Sequence, residues 1–362
     1  MTDPRVERYA RLLVEQCIDA QPGWQVLVLS TPLGRPVVEP VLEAIGERGA
    51  YAILRLDFAQ EHLPVAHAWS RTAPEELVGT LAPADLHLVE TIDARMMIAA
   101  PENTRAGVEL PARRQSLVRQ ALRPYYARTM SMQIPWVSCY FPTEAAAQDA
   151  GMTLEAFEDF LYGACLRDWN AEAERMQRIA DRFDGAKEVH ITGPHTDITL
   201  SVEGRRAIAD DGRVNMPGGE VFFAPVEDSA EGVITYAEFP AVYENHEVTG
   251  VRLRFEGGRV VDASAETNED FLLATLDSDE GARGLGELGI GCNPGITRHM
   301  KNVLFDEKID GTAHLAIGAS YTSAGGKNIS AVHWDMVKDL RSGGAIAVDG
   351  TVVQRDGVWQ LD

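Results

Sequence analysis

Cysteine is scarce in this 362-residue chain: Cys17, Cys139, Cys165 and Cys292 are the only four, set far apart with no CxxC among them. Neither a zinc knuckle nor a redox pair is indicated, and a reducing compartment fits. Positive charge is also short, with 33 Lys and Arg against 55 Asp and Glu and a formal net charge of −22. Such a surface repels phosphates and anionic lipids, which excludes nucleic acid and membrane as partners. No apolar run has the length of a membrane span. The opening "MTDPRVERYARLLVEQC" threads charges through its apolar positions, where a secretory signal needs a basic head and an apolar run. A cytoplasmic protein is expected.

Several catalytic signatures are missing too. The chain has no GxSxG elbow, no P-loop and no HExxH, so serine hydrolase, NTPase and zincin readings lack local support. "GLGELG", Gly284 to Gly289, does match GxGxxG. The following "IGCNPGITR" would interrupt the required helix at Pro294 and Gly295, so these glycines read as places where backbone approaches a crowded site.

What is present divides into two patterns. In the first half, helical faces alternate with buried strands. "DPRVERYARLLVEQCI" aligns Val6, Tyr9, Leu12, Leu13 and Cys17, and "WQVLVLS" follows as an apolar run; "RPVVEPVLEAIGERG" closes at Gly49 before "AYAILRLDF". That alternation implies an α/β domain with a mostly parallel sheet. A helical stretch from Thr153 to Phe183 ends it, with Thr153 as the N-cap. From Glu188 onward the chain reads as short strands joined by tight turns, such as "EGGR" and "QRDGVW". The expected organisation is an N-terminal α/β domain over 1–185 and a β-rich α+β domain, bearing the metal site, over 186–362.

The second domain carries the chemistry. In "NISAVHWDMV", strand alternation puts His333 and Asp335 on one face, ~7 Å apart along the chain. "GTAHLAIGASY" reads as another strand, with His314 in it and Tyr321 seven residues later. Glu220 follows a Pro-Gly-Gly turn, and Glu287 lies among glycines. Each residue alone has a bland explanation: a solvated strand end, a surface acid or a hydrogen-bonded core histidine. Together they differ, because ionised carboxylates beside half-buried strands are costly unless paired or bound to metal. A mixed nitrogen and oxygen set suits zinc, cobalt or manganese.

At these residues the sequence resembles the thermophilic aminopeptidases, the M29 metallopeptidase family. "NMPGGEVFFAPVE", "LGELGIGCNPGI", "LFDEKIDGTAHLAIGASY" and "GGKNISAVHWDMV" stand in that family's order and approximate spacing. The resemblance implies a two-metal centre with Glu220, Glu287, His314, Tyr321, His333 and Asp335 as ligands, and zinc, cobalt or manganese as the ions. It implies removal of N-terminal residues from peptides with a free amine, with Glu287 bridging the metals and Tyr321 ligating metal or stabilising an oxyanion. A homodimer is also implied. The connection "TSAGGKNISAV" between Tyr321 and His333 is shorter than in the longer members. Lys308 and the neighbouring acids in "FDEK" read either as residues that support the metal ligands from behind or, slightly favoured, as a polar loop, and Lys327 and Asn328 as turn geometry.

Two other classes compete. His314, His333 and Asp335 would equally form the facial triad of a mononuclear iron(II) ring-cleaving dioxygenase, a class that looks similar in fold. Glu220 and Glu287 discriminate, since one iron needs no further acids. A binding protein without turnover would hold no metal.

Overall fold

The computed structural model describes residues 3–58, 67–104, 110–244 and 246–360. The chain forms two compact units, Met1–Leu166 with Gly212–Pro217, and Arg167–Asp211 with Gly218–Asp362. The first is the α/β region implied by the sequence, and the second is β-rich.

In the first unit five parallel strands are ordered Tyr51–Leu56, Gln25–Ser30, Ala94–Ala99, Trp136–Tyr140, Asn215–Met216. The two central strands, Gln25–Ser30 and Ala94–Ala99, are mostly apolar because a parallel sheet is covered on both faces; Ala94–Ala99 is buried throughout, Arg95 included. Helices begin where side chains satisfy their first free N–H groups. Asp3 accepts from the Arg5 N–H at 2.8 Å and Thr153 from the Ala156 N–H at 3.2 Å.

The single helix expected over Thr153 to Phe183 is two helices, Leu154–Cys165 and Trp169–Asp181. Asp168 starts the second by accepting from the N–H groups of Asn170 and Ala171, a capping aspartate inside what reads as one apolar periodicity. The second helix belongs to the second unit, so the division falls at Leu166, ahead of Gly185.

The second unit contains an eight-stranded sheet, a two-stranded ribbon and a five-stranded sheet. The five-stranded sheet is antiparallel, ordered His333–Asp339, Thr312–Gly318, Leu285–Gly291, Glu220–Phe223, Ile208–Asp210. Alternation decides its two faces. Val221, Phe223, Leu288, Ile290, Leu315, Ile317, Trp334 and Met336 enter one hydrophobic core, and the intervening residues point the other way. "GLGELG" therefore lies at and within a strand, not in a phosphate loop.

The segment entering the His333 strand is clamped. Asn328 donates through Nδ2 to the carbonyls of Gly281 (2.8 Å) and Gly318 (2.6 Å), while Asp279 accepts from the N–H groups of Ala331 (2.7 Å) and Gly281 (2.8 Å) and from the Ser330 hydroxyl. Partial burial opposes ionisation of Asp279, but these donors outweigh it and hold its pKa below the ordinary 3.8. A depressed folded pKa means the clamp contributes fully above the unfolded value and fades as pH falls through the folded one. Asp279→Ala should therefore lose about 1–3 kcal/mol near neutral pH, the range for hydrogen bonds to a charged group. That deficit, read by thermal unfolding, should shrink below pH 3.8; a deficit independent of pH would contradict the clamp.

Candidate metal centre

The face turned away from the hydrophobic core carries the polar residues, and strand register sets their positions. Glu287 and Asp335 flank Ala316 on its two sides, Gly289 faces His314, Gly291 faces Glu220, and Gly318 faces His333. Each of these polar side chains thus has glycine or alanine opposite it on one neighbouring strand, while on the other Glu220 faces Asp210 and His314 faces Val337. Without that alternation of large and small the cluster would not fit. A Cβ on Gly289 would lie 1.9 Å from His314 Nε2 and 2.0 Å from its Cε1.

The result is a connected cluster. His314 Nε2 is 3.2 Å from Glu287 Oε1 and 3.4 Å from Glu220 Oε2. His333 Nε2 is 3.6 Å from Glu287 Oε2 and 3.6 Å from Asp335 Oδ2. The Tyr321 ring packs edge-on against the His333 ring at 5.2 Å and tilted against Phe222 at 5.5 Å. All six residues singled out in the sequence come to one place. Three overlapping groups bring one ligand atom per residue within 4.8 Å of each other: Glu220, Glu287 and His314; Glu287, His333 and Asp335; and Glu307, His314 and Asp335. Glu287 belongs to two of them.

His333 is oriented by its far nitrogen. Nδ1 lies 2.9 Å from the Ala319 carbonyl, so Nδ1–H donates there and the Nε2 lone pair faces the acids. His314, Glu220 and Glu287 are buried. Burial opposes charge on His314, but the Glu287 hydrogen bond and the charges of Glu220 and Glu287 push its pKa up to about 10. Burial raises Glu220 well above the carboxylate range, opposed by Lys308, and raises Glu287, opposed by its bond to His314. Burial, reinforced by Glu287 and Asp335, also keeps Tyr321 a phenol.

The site fits a divalent cation on its own geometry. Buried oxygens of Glu220 (Oε2), Glu287 (Oε2) and Asp335 (Oδ1) have no hydrogen-bond donor among the described residues, a costly state that a metal relieves. Ligand atoms ~2.1 Å from a shared ion lie within about 4.2 Å of each other, close to the observed spacing. Imidazole and carboxylate donors suit zinc, cobalt or manganese.

Of the two readings of "FDEK", the structure favours the supporting role over the polar loop. Glu307 reaches the cluster, and Lys308 is fully buried. Lys308 Nζ pairs with Glu307 and lies 3.3 Å from Glu220 Oε1 and 3.9 Å from Asp210 Oδ2. Nothing in "FDEK" signals this, because a four-residue helix, Val303–Asp306, and the turn after it aim these side chains.

A buried nitrogen and carboxylate cluster on one sheet face can hold divalent metal, as metal-dependent hydrolysis requires. The chain belongs to the thermophilic metalloprotease (M29) family, whose pattern matches residues 2–359. It is 26% identical to aminopeptidase AmpS of Bacillus subtilis (strain 168), covering 97% of this chain and 93% of that protein. Its fold matches wild-type AmpT from Thermus thermophilus with a TM-score of 0.83 at 25% identity, over 98% of this chain and 99% of that one. The 2,5-dihydroxypyridine dioxygenase of Pseudomonas putida KT2440 shares the fold, with a TM-score of 0.59 and 14% identity over 98% and 96% of the two chains.

The glycine facing His314 provides a local test. Gly289→Ala should destabilise the chelator-stripped protein by about 1–3 kcal/mol through overpacking. By contrast Gly46→Ala, in a helix with nothing within 4 Å of the new Cβ, should gain roughly 0.5–1 kcal/mol. Thermal unfolding of both variants checks this; an unperturbed Gly289→Ala protein would mean that His314 does not occupy its place.

Proposed function

We propose that this protein is a metal-dependent aminopeptidase that binds two divalent ions and removes the N-terminal residue of peptides. The observation that carries the reading is the overlap of two ligand groups at Glu287: one with Glu220 and His314, the other with His333 and Asp335. Glu220, Glu287 and His314 would hold one ion and Glu287, His333 and Asp335 the other, and these imidazole and carboxylate donors suit zinc, cobalt or manganese. Bound ions would supply Lewis acidity, easing deprotonation of an attacking water and polarising the scissile carbonyl.

The chain's own groups do the rest. Glu287 and Asp335 each present one buried oxygen that has no hydrogen-bond donor among the described residues, and His333 presents an imidazole nitrogen fixed by Ala319. Tyr321, whose ring packs against His333, would ligate an ion or donate a hydrogen bond to the substrate carbonyl oxygen as it gains charge. A free N-terminal amine would offer its nitrogen lone pair to a bound ion, which the nitrogen of an internal peptide bond, delocalised into its carbonyl, does not; this would separate a free N-terminus from an internal bond. The iron dioxygenase reading explains His314, His333 and Asp335 but leaves Glu220, Glu287 and Glu307 without a task. No disulfide joins the four buried cysteines, and no described helix is long and apolar enough to cross a membrane; both accord with a cytoplasmic enzyme. The family resemblance extends the proposal to a homodimer, tested by light scattering.

Chelator-stripped protein should fail to cleave leucyl-p-nitroanilide and recover on addition of cobalt, zinc or manganese. Blocking the substrate amine should abolish cleavage. His333→Ala should lose at least about 100-fold in metal-restored turnover while its metal-free melting temperature stays within a few degrees. Retained activity in His333→Ala would remove that residue from the site, and no cleavage with any metal would overturn the peptidase reading.

A further inference from the structure

We propose that Lys308 is a positioning residue for the metal bound by Glu220, Glu287 and His314: its ammonium grips one oxygen of Glu220 and so fixes the other for a single contact with the ion. The inference rests on the metal-site reading above and adds a residue which that reading does not use.

The geometry begins with the backbone. The Lys308 N–H donates to the Phe305 carbonyl at 3.0 Å, and the Lys308 carbonyl accepts from the Asn293 N–H at 2.9 Å. Asn293 lies just past the Glu287 strand, so the lysine is stitched to the sheet it serves. Its side chain is fully buried, an unusual place for lysine unless its charge is matched. Here it is matched on several sides. Nζ pairs with Glu307, lies 3.3 Å from Glu220 Oε1, and has Asp210 Oδ2 at 3.9 Å.

Glu220 is thereby split between two tasks. Oε1 faces the ammonium, while Oε2, which has no hydrogen-bond donor among the described residues, faces His314 Nε2 at 3.4 Å. A carboxylate held in this way cannot rotate to chelate an ion with both oxygens, and the same ammonium holds Glu307 beside it. Removing the ammonium leaves Asp210, Glu220 and Glu307 facing one another without their shared cation, and their repulsion would turn Glu220 Oε2 out of line.

Two effects compete when the lysine is removed. Loss of orientation weakens metal binding, while loss of a nearby positive charge strengthens it. Orientation should prevail, because the ammonium is the group that faces Glu220 Oε1, and partners that orient a ligand are typically worth roughly 10- to 100-fold in metal affinity.

The test is calorimetric titration of chelator-stripped full-length protein with zinc, in competition with a chelator, for wild type, Lys308→Met and Lys308→Gln. Lys308→Met should weaken one binding step of the wild type by roughly 10- to 100-fold, leave any other step within about threefold, and be partly rescued by Lys308→Gln, whose amide still donates. Unchanged or tighter binding in Lys308→Met overturns the proposal, and so does equal weakening of every step, which would mark a general structural role. Melting curves with and without zinc accompany each titration. If neither variant folds even with saturating zinc, the lysine is structural and the proposal fails. A wild type that takes up no metal overturns the metal-site reading instead.

Discussion

Four carboxylates and two imidazoles share one face of an antiparallel sheet: Asp210, Glu220, Glu287 and Asp335 with His314 and His333. Holding that much ionisable surface away from water is tolerable only where charges are matched at short range. The second unit is built around this requirement. The opposite face of the same strands is apolar and belongs to a large hydrophobic core, so the sheet is rigid where the ligands need precision. The ligand face is floored with glycine and alanine, which gives the long side chains room. The strand period of two assigns every residue to one side or the other.

Matching comes from three kinds of group. His314 sits between Glu220 and Glu287, Lys308 sits between Glu220 and Glu307, and the remaining donor-free oxygens are the ones a divalent ion would satisfy. The backbone contributes through the Ala319 carbonyl, which selects the useful tautomer of His333. The short connection from Tyr321 to His333 is pinned at both ends. The Arg205 guanidinium reaches the Gly325 carbonyl and Glu227, Glu227 accepts from the Lys327 N–H at 2.8 Å, and Asn328 bridges Gly281 and Gly318. Tyr321 and His333 are therefore set by a loop with little freedom, and a fixed pair of side chains is what a preorganised site requires.

Much of this was legible in the sequence, for physical reasons that differ by residue. His333 and Asp335 are two apart on a strand, so alternation alone placed them together. His314 was visible as a histidine in an apolar strand, but its partners were not, since pairing Gly289 with His314 depends on register across strands. Glu220 and Glu287 were reached through motif resemblance, not periodicity. For Glu307 and Lys308 the sequence leaves a polar loop and a supporting role at the site both open, because the short helix and turn that bury them carry no periodic signal. The break between the helices ending at Cys165 and beginning at Trp169 was missed for a related reason: Asp168 interrupts the backbone without interrupting the polar and apolar rhythm. Asn328 was read as turn geometry, and its side chain does tie three chain segments together.

The central claim is that Glu287 stands between two metal ions. Anomalous diffraction from crystals of chelator-stripped protein soaked in zinc tests it directly. The account expects two peaks, each about 2.0–2.2 Å from an oxygen of Glu287, one flanked by Glu220 and His314 and the other by His333 and Asp335. A single peak, or peaks that do not touch Glu287, would contradict it.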